Sequence, residues 1–292
     1  MQFAIGIPVF NEEKNIGGII LKLKKKFQKI IICDDGSIDL TSEIAEKLGA
    51  LVVKHEKNMG YGEAIKTIFH TAKQMEVDVL ITFDGDGQHK IEDIDKVLSP
   101  ILKNDADCVI GSRFLEKTEN IPKYRKFGIK TITDLTNLAT GSNISDSQSG
   151  FRAYNKKVIQ EIKLSESGMG VSTEILIKIK KLNFRIVEVP INVSYEGDTS
   201  THNPIAHGTS VILSTLKYVS IEHPLVFYGI PGLILFAVGL GFGIWATQIF
   251  LEQGQLITNI TIIGVAGMVI GIMLLVTSII LFSLITIIKN KT

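Results

Sequence analysis

Short apolar runs alternate with amphipathic segments from the first residues to about Ser200. Runs rich in β-branched residues predict strands at Phe3–Val9, Lys29–Cys33, Ala50–Lys54, Val77–Phe83, Ala106–Ile110 and Phe184–Val193. Segments with helical periodicity lie between them at Glu12–Phe27, Leu40–Leu48, Gly62–Met75 and Glu92–Leu102. Strand and helix taking turns in this way predicts βα units, hence an α/β fold on a mostly parallel sheet. No internal repeat or low-complexity linker interrupts it, so residues 1–203 are expected to form one domain.

Beyond that point the pattern changes. Pro224–Leu251 and Leu256–Ile288 contain no Asp, Glu, Lys or Arg. Both exceed the ~20 residues that cross a ~30 Å hydrocarbon core, so a transmembrane hairpin over residues 224–288 is expected. Lys217 precedes the pair, Lys289 and Lys291 follow it, and the connector Glu252–Gln255 carries no basic residue. That asymmetry predicts cytoplasmic ends and a cytoplasmic domain. Gly239 and Gly243 in the first span and Gly267 and Gly271 in the second have the four-residue spacing that lets helix backbones approach, within the hairpin or between copies in a homo-oligomer. Asn203-Pro204 then Ile205, Ile212, Leu216 and Val219 predict an amphipathic helix over 204–223, suited to packing on the domain or lying on membrane lipid.

Composition narrows the function classes. A net charge of +1 over 292 residues gives no general electrostatic case for nucleic acid, and Lys22, Lys24, Lys25 and Lys26 read as a solvated helix face. Cys33 and Cys108 sit in separate apolar runs without metal or redox spacing and read as reduced core thiols. The N-terminal run is short and interrupted by Pro8, which fits a first strand and not a signal peptide.

Candidate chemistry gathers at strand ends, where open α/β sheets bind ligands. Asn11-Glu12 follows the first strand, Asp34-Asp35-Gly36-Ser37 the second and Asp84-Gly85-Asp86-Gly87-Gln88 the fourth. In an extended chain Asp84, Asp86 and Gln88 fall on one side and offer hard oxygen ligands, suited to Mg²⁺ or Mn²⁺ bridging to substrate phosphates. A nucleoside diphosphate is the natural co-ligand. The adjacent His89 is a candidate third-party ligand, phosphate contact or buttress of the ligands.

Seven motifs occur in order: Ile7–Glu13, Asp34–Thr41, Asn58–Ala64, the Asp84–His89 run, Gly111-Ser112-Arg113, Ser149-Gly150-Phe151-Arg152 and Glu188–Ile191. The set resembles family 2 glycosyltransferases of the GT-A fold, specifically the dolichyl- or polyprenyl-phosphate sugar synthases, over about residues 3–220. The resemblance implies that Pro8, Phe10, Glu12, Asp35 and Asp84 hold the nucleotide sugar and that Asp84, Asp86 and Gln88 hold Mg²⁺ or Mn²⁺. It further implies that Asp86, Arg113 and Arg152 act at the reaction centre, the two arginines facing phosphate as planar forks. The chain departs from the family at Tyr195–Pro204, where many relatives carry two basic residues and this sequence has none. The resemblance therefore does not extend to acceptor-phosphate binding by the Thr199–His202 loop, nor to mannose as the sugar.

The reaction so implied is a single inverting transfer from a GDP- or UDP-sugar to a polyprenyl or dolichyl phosphate at the cytoplasmic membrane face. Two alternatives remain open in the sequence. A hydroxyl acceptor on a glycolipid or glycan requires a carboxylate base, for which Asp146 and Glu174 are candidates; an inactive nucleotide-sugar-binding scaffold requires none.

Overall fold

The structure, a computed structural model, describes residues 1–116, 123–193, 220 and 224–289, and the chain divides into two compact units, Met1–Thr215 and Leu216–Thr292. The expected helix over 204–223 lies outside the described residues apart from Ser220, as does the Thr199–His202 loop.

The first unit carries strands β1 Phe3–Val9, β2 Lys29–Asp34, β3 Leu51–Lys54, β4 Val79–Thr82, β5 Cys108–Ser112, β6 Arg152–Asn155 and β7 Ile186–Pro190. Its helices are α1 Ile16–Leu23, α2 Thr41–Lys47, α3 Tyr61–Gln74, α4 Ile94–Leu102, α5 Lys123–Thr140, α6 Lys156–Glu161 and α7 Val171–Lys181. The strands form one sheet in the order β3-β2-β1-β4-β6-β5-β7. All pairings are parallel except those of β6, which runs antiparallel between β4 and β5.

Strand alternation divides the core between the two faces of the sheet. Ile5, Ile7, Ile30 and Ile32 enter one apolar cluster with Ile16 and Ile20 of α1 and Val97 of α4. Ala4, Ile31 and Cys33 enter the other with Ile65 and Ile68 of α3 and Ile175 of α7. Each isoleucine so buried contributes about 1.5–3 kcal/mol. Gly6 has no room for a side chain, because a Cβ there would collide with Ile68 of α3. Cys33 and Cys108 are free and buried, and burial pushes both thiols up to about 12.

Several expected boundaries move for local reasons. The first helix was expected to begin at Glu12, but Asn11 adopts φ 55° and residues 12–15 form a turn, so α1 begins at Ile16. It ends before three consecutive exposed lysines, where the chain turns to bury Phe27. At the start of β7 the Arg185 amide bonds the Asp107 carboxylate (2.8 Å), which shortens the expected Phe184–Val193 strand.

In the second unit a π-helical turn, Leu225–Gly229, leads into α8 Ile230–Gln253, and Gly254 at φ 66° caps it before α9 Thr258–Lys289. Leu225–Gln253 and Thr258–Ile287 are long and apolar enough to cross a membrane, with mean hydropathies of 2.1 and 2.8. The two helices pack through glycine. A Cβ on Gly239 would stand 2.5 Å from Met268 N, and one on Gly271 would stand 2.6 Å from Phe236 N. The buried Ser278 hydroxyl donates to Pro224 O (3.2 Å), which ties the second helix to the start of the π turn.

Candidate active site

The pairings Val9↔Asp34 and Gly6↔Thr82 bring the carboxyl ends of β1, β2 and β4 side by side, so the three polar segments that follow share one edge of the sheet. The first two are laced together. Asp35 N donates to Val9 O (2.9 Å), Asn11 N to Ser37 Oγ (2.8 Å), Ile38 N to Asn11 Oδ1 (3.0 Å) and Glu12 N to Thr41 Oγ1 (2.8 Å). Asn11 must be left-handed to make both of its contacts. Gly36, at φ 80°, passes so close to Lys57 that a Cβ would lie 2.5 Å from its carbonyl carbon.

Asp34 is fully buried and accepts from Ser37 N (2.8 Å) and Ser42 Oγ. Asp35 accepts from Met59 N (2.9 Å) and Gly60 N (2.8 Å), and one of its oxygens also meets His55 Nδ1 at 2.7 Å. Both carboxylates thus fasten the loops that wall this edge. Pro8, Phe10 and Glu12 are half-buried along it.

The third segment corrects an expectation. Asp84–Gln88 is not extended: residues 85–87 turn, with Gly87 at φ 76°, and Gln88 N donates to Asp86 Oδ1 (2.9 Å). Asp favours local side-chain-to-backbone bonds over an extended path, and two glycines here remove the steric barrier. A Cβ on Gly85 would lie 2.7 Å from Val9 Cγ1, so the turn presses directly on the end of β1. Asp86 thereby comes near Glu12. Burial chiefly, then the charges of Asp86 and Asp39, raise the Glu12 pKa against the bond from Asn15.

Asp84 is the centre of the arrangement. Its Oδ2 meets His89 Nε2 at 2.9 Å, and a Cβ on Gly150 would stand 2.5 Å from its Oδ1 and 2.8 Å from the Tyr61 hydroxyl. Burial pushes the Asp84 carboxyl up, but the His89 bond and the charges of His89, Arg113 and Arg152 outweigh it and hold the pKa below the ordinary value. Burial, followed by the Asp84 charge, drives the Tyr61 phenol well above its usual range.

The two arginines differ. Arg113 follows β5, is 14% exposed at its side chain, and grips the fully buried Asp146 with Nε and Nη2, each at 2.7 Å. Burial raises the Asp146 pKa, but the Arg113 charge and bonds bring it below the ordinary value. Glu188 on β7 holds this pair in place by accepting from Ser145 N (2.8 Å) and Asp146 N (3.0 Å). Arg152 on β6 is 1% exposed, and its guanidinium donates to the carbonyls of Ser149 (2.8 Å), Ser172 (3.0 Å) and Ser147 (2.7 Å). It reaches Asp84 through its charge. Glu174 is fully buried at the start of α7, accepting from Ser165 N (2.8 Å) and Glu166 N (2.9 Å) and pairing with Lys178 (2.7 Å).

Glu12, Asp84 and Asp86 therefore share one edge of the sheet with Asp35 at its side, the Arg113 charge bears on Asp84, and Arg152 and Glu174 are buried. Tyr61, Gly150 and Glu188 belong to motifs visible in the sequence, but only the folded chain gives them tasks. Among the described residues no three His, Cys, Asp or Glu side chains form a metal cage. The donor set is instead one or two carboxylates at an exposed turn, and Asp84 Oδ1 has no hydrogen bond among the described residues. This fits an octahedral hard cation that draws its other ligands from water and substrate phosphate.

The model of glycosyl transferase family 2 matches residues 4–163. The UDP-N-acetylglucosamine–dolichyl-phosphate N-acetylglucosaminyltransferase of Methanococcus voltae is 36% identical over 230 residues, covering 71% of this chain and 89% of its own. The dolichyl-phosphate hexose transferase of Haloferax volcanii is 29% identical over 218 residues, 74% of this chain and 93% of its own. The glucosyl-3-phosphoglycerate synthase of Mycobacterium tuberculosis, solved with Mn²⁺ and UDP-glucose, superposes with a TM-score of 0.59 at 19% identity, over 75% of this chain and 78% of that one. At that identity the likeness concerns the GT-A-type fold.

Proposed function

Since the chain belongs to glycosyltransferase family 2, we propose that it transfers a sugar, with inversion, from a GDP- or UDP-linked donor to a polyprenyl or dolichyl phosphate at the cytoplasmic face of a membrane. The observation that carries this reading is that Glu12, Asp84 and Asp86, which follow the adjacent strands β1 and β4, lie at one sheet edge, in a chain that also bears two helices able to cross a membrane. The named activities of the Methanococcus and Haloferax relatives support the dolichyl-phosphate acceptor, and differ in the sugar.

On this reading Pro8, Phe10 and Glu12 line the nucleoside end, and Asp35 shapes it through the Met59-Gly60 amides. Asp84, with Asp86 and Gln88 in the turn that follows it, would hold the cation. Bound there, Mg²⁺ or Mn²⁺ neutralises the diphosphate leaving group. Arg113, fixed by Asp146, would present positive charge to phosphate. A phosphate monoester with a second pKa of about 6 is already ionised at neutral pH and attacks the anomeric carbon without a general base. Asp146 and Glu174, the candidate bases of the hydroxyl-acceptor alternative, are both fully buried and each pairs with a cation, which favours the phosphate acceptor.

The test is the purified full-length protein with a panel of GDP- and UDP-sugars, a polyprenyl phosphate and Mg²⁺ or Mn²⁺, scored for lipid-linked sugar. One donor should give product, and chelation should stop it. Donor hydrolysis or binding without lipid product across the panel would contradict the proposal.

A further inference from the structure

We propose that His89 is a positioning residue that sets the orientation of the Asp84 carboxylate for a divalent cation; the inference rests on the metal reading of Asp84 given above. His89 Nε2 stands 2.9 Å from Asp84 Oδ2. A carboxylate only accepts, so Nε2 carries the proton. The ring is held on the other sides by Phe83 and Phe151, at centroid distances of 5.7 and 5.2 Å, and its side chain is 6% exposed. Its backbone is fixed as well, through an antiparallel bridge to Val193.

The decisive feature is Nδ1, which is buried without a hydrogen-bond partner among the described residues. Leaving a polar atom in that state costs free energy. A phenyl ring would fill the same aromatic slot without the penalty, so packing gives no reason for an imidazole here. The bond to Asp84 does. It engages one carboxylate oxygen and leaves Oδ1, on a side chain 29% exposed, without a hydrogen bond among the described residues. Supports of this kind behind a ligand typically alter metal affinity by about 10–100-fold.

His89→Phe removes the donor and keeps the ring; His89→Gln keeps an N–H near the position of Nε2. The measurement is Mn²⁺ affinity by electron paramagnetic resonance, on full-length protein in detergent with saturating UDP or GDP, alongside the metal-free melting temperature. His89→Phe should melt as the parent does and bind Mn²⁺ about 10–100-fold more weakly, whereas His89→Gln should stay within about threefold of the parent. Parent-like affinity in His89→Phe overturns the positioning role alone. If that variant does not fold, His89→Gln decides: a loss of about tenfold or more overturns the role, and near-parental affinity upholds it. Absence of Mn²⁺ binding by the parent protein overturns the metal reading and this inference with it.

Discussion

Gly150 packs against Asp84, the carboxylate that the proposed function assigns to the cation. A methyl group there would press on Asp84 Oδ1 and on the Tyr61 hydroxyl, at 2.5 and 2.8 Å. Gly150→Ala should therefore lower kcat/KM by about tenfold or more while the circular dichroism spectrum stays unchanged, because the nearest neighbours are side-chain ends that can shift. A parent-like kcat/KM would show that Asp84 tolerates displacement. Asp86→Ala should go further, lowering turnover by orders of magnitude without unfolding the protein, because Asp86 is only half-buried in this turn. The residues of the site were legible as an ordered set of motifs, and their side of the sheet followed from strand ends. Their division of labour was not. A lone Arg152 in Ser-Gly-Phe-Arg looks the same in sequence whether it faces a phosphate or, as here, three backbone carbonyls. Likewise the alternation of Asp84, Asp86 and Gln88 suggested an extended chain, and two glycines with an Asp86-to-backbone bond made it a turn.

At the level of elements, the strongly apolar strands and the periodic helices of the first half were readable, and β6 and α5 to α7 were not. β6 is only Arg-Ala-Tyr-Asn, and it is held by pairing on both sides, not by its own pattern. α5 includes Gly128 and the run Thr131-Ile132-Thr133, poor helix formers that survive through tertiary packing of Ile129 and Ile132. The hairpin shows the reverse case, where glycine spacing announced a contact that the structure contains. The detail changes one expectation: a Cβ on Gly243 would meet Met268 Cε at 3.7 Å, so a side chain is least tolerated at Gly239 and Gly271, at 2.5 and 2.6 Å from backbone. Gly239→Leu and Gly271→Leu should each destabilise the hairpin by about 1–3 kcal/mol or more. Gly241→Leu, with nothing within 4 Å of its Cβ, should be neutral. Thermal unfolding in detergent separates these; equal stability of all three variants would mean the glycine face is not a close contact.

Across the whole molecule, acid stability and membrane chemistry are the readouts. Asp146, Asp84 and Asp107 all have pKa values held below the ordinary 3.8. A depressed carboxylate contributes stability that is complete above the unfolded-state value and is lost as pH falls through the folded one. Melting temperature should thus be insensitive to these groups above 3.8 and fall steeply below it. Asp146→Ala should flatten part of that acid limb and cost about 3–5 kcal/mol at neutral pH, because it strands the Arg113 guanidinium. An unchanged acid limb would place the sensitive carboxylates elsewhere.

The claim on which everything turns is that the nucleophile is a lipid phosphate which needs no protein base. Its most direct test supplies the full-length protein with its active nucleotide sugar, Mn²⁺, and either a polyprenyl phosphate or the corresponding polyprenol, and follows transfer of labelled sugar into the lipid phase. Labelled lipid should form with the phosphate and not with the alcohol. Transfer to the polyprenol at a comparable rate would contradict the proposed chemistry and require a protein base.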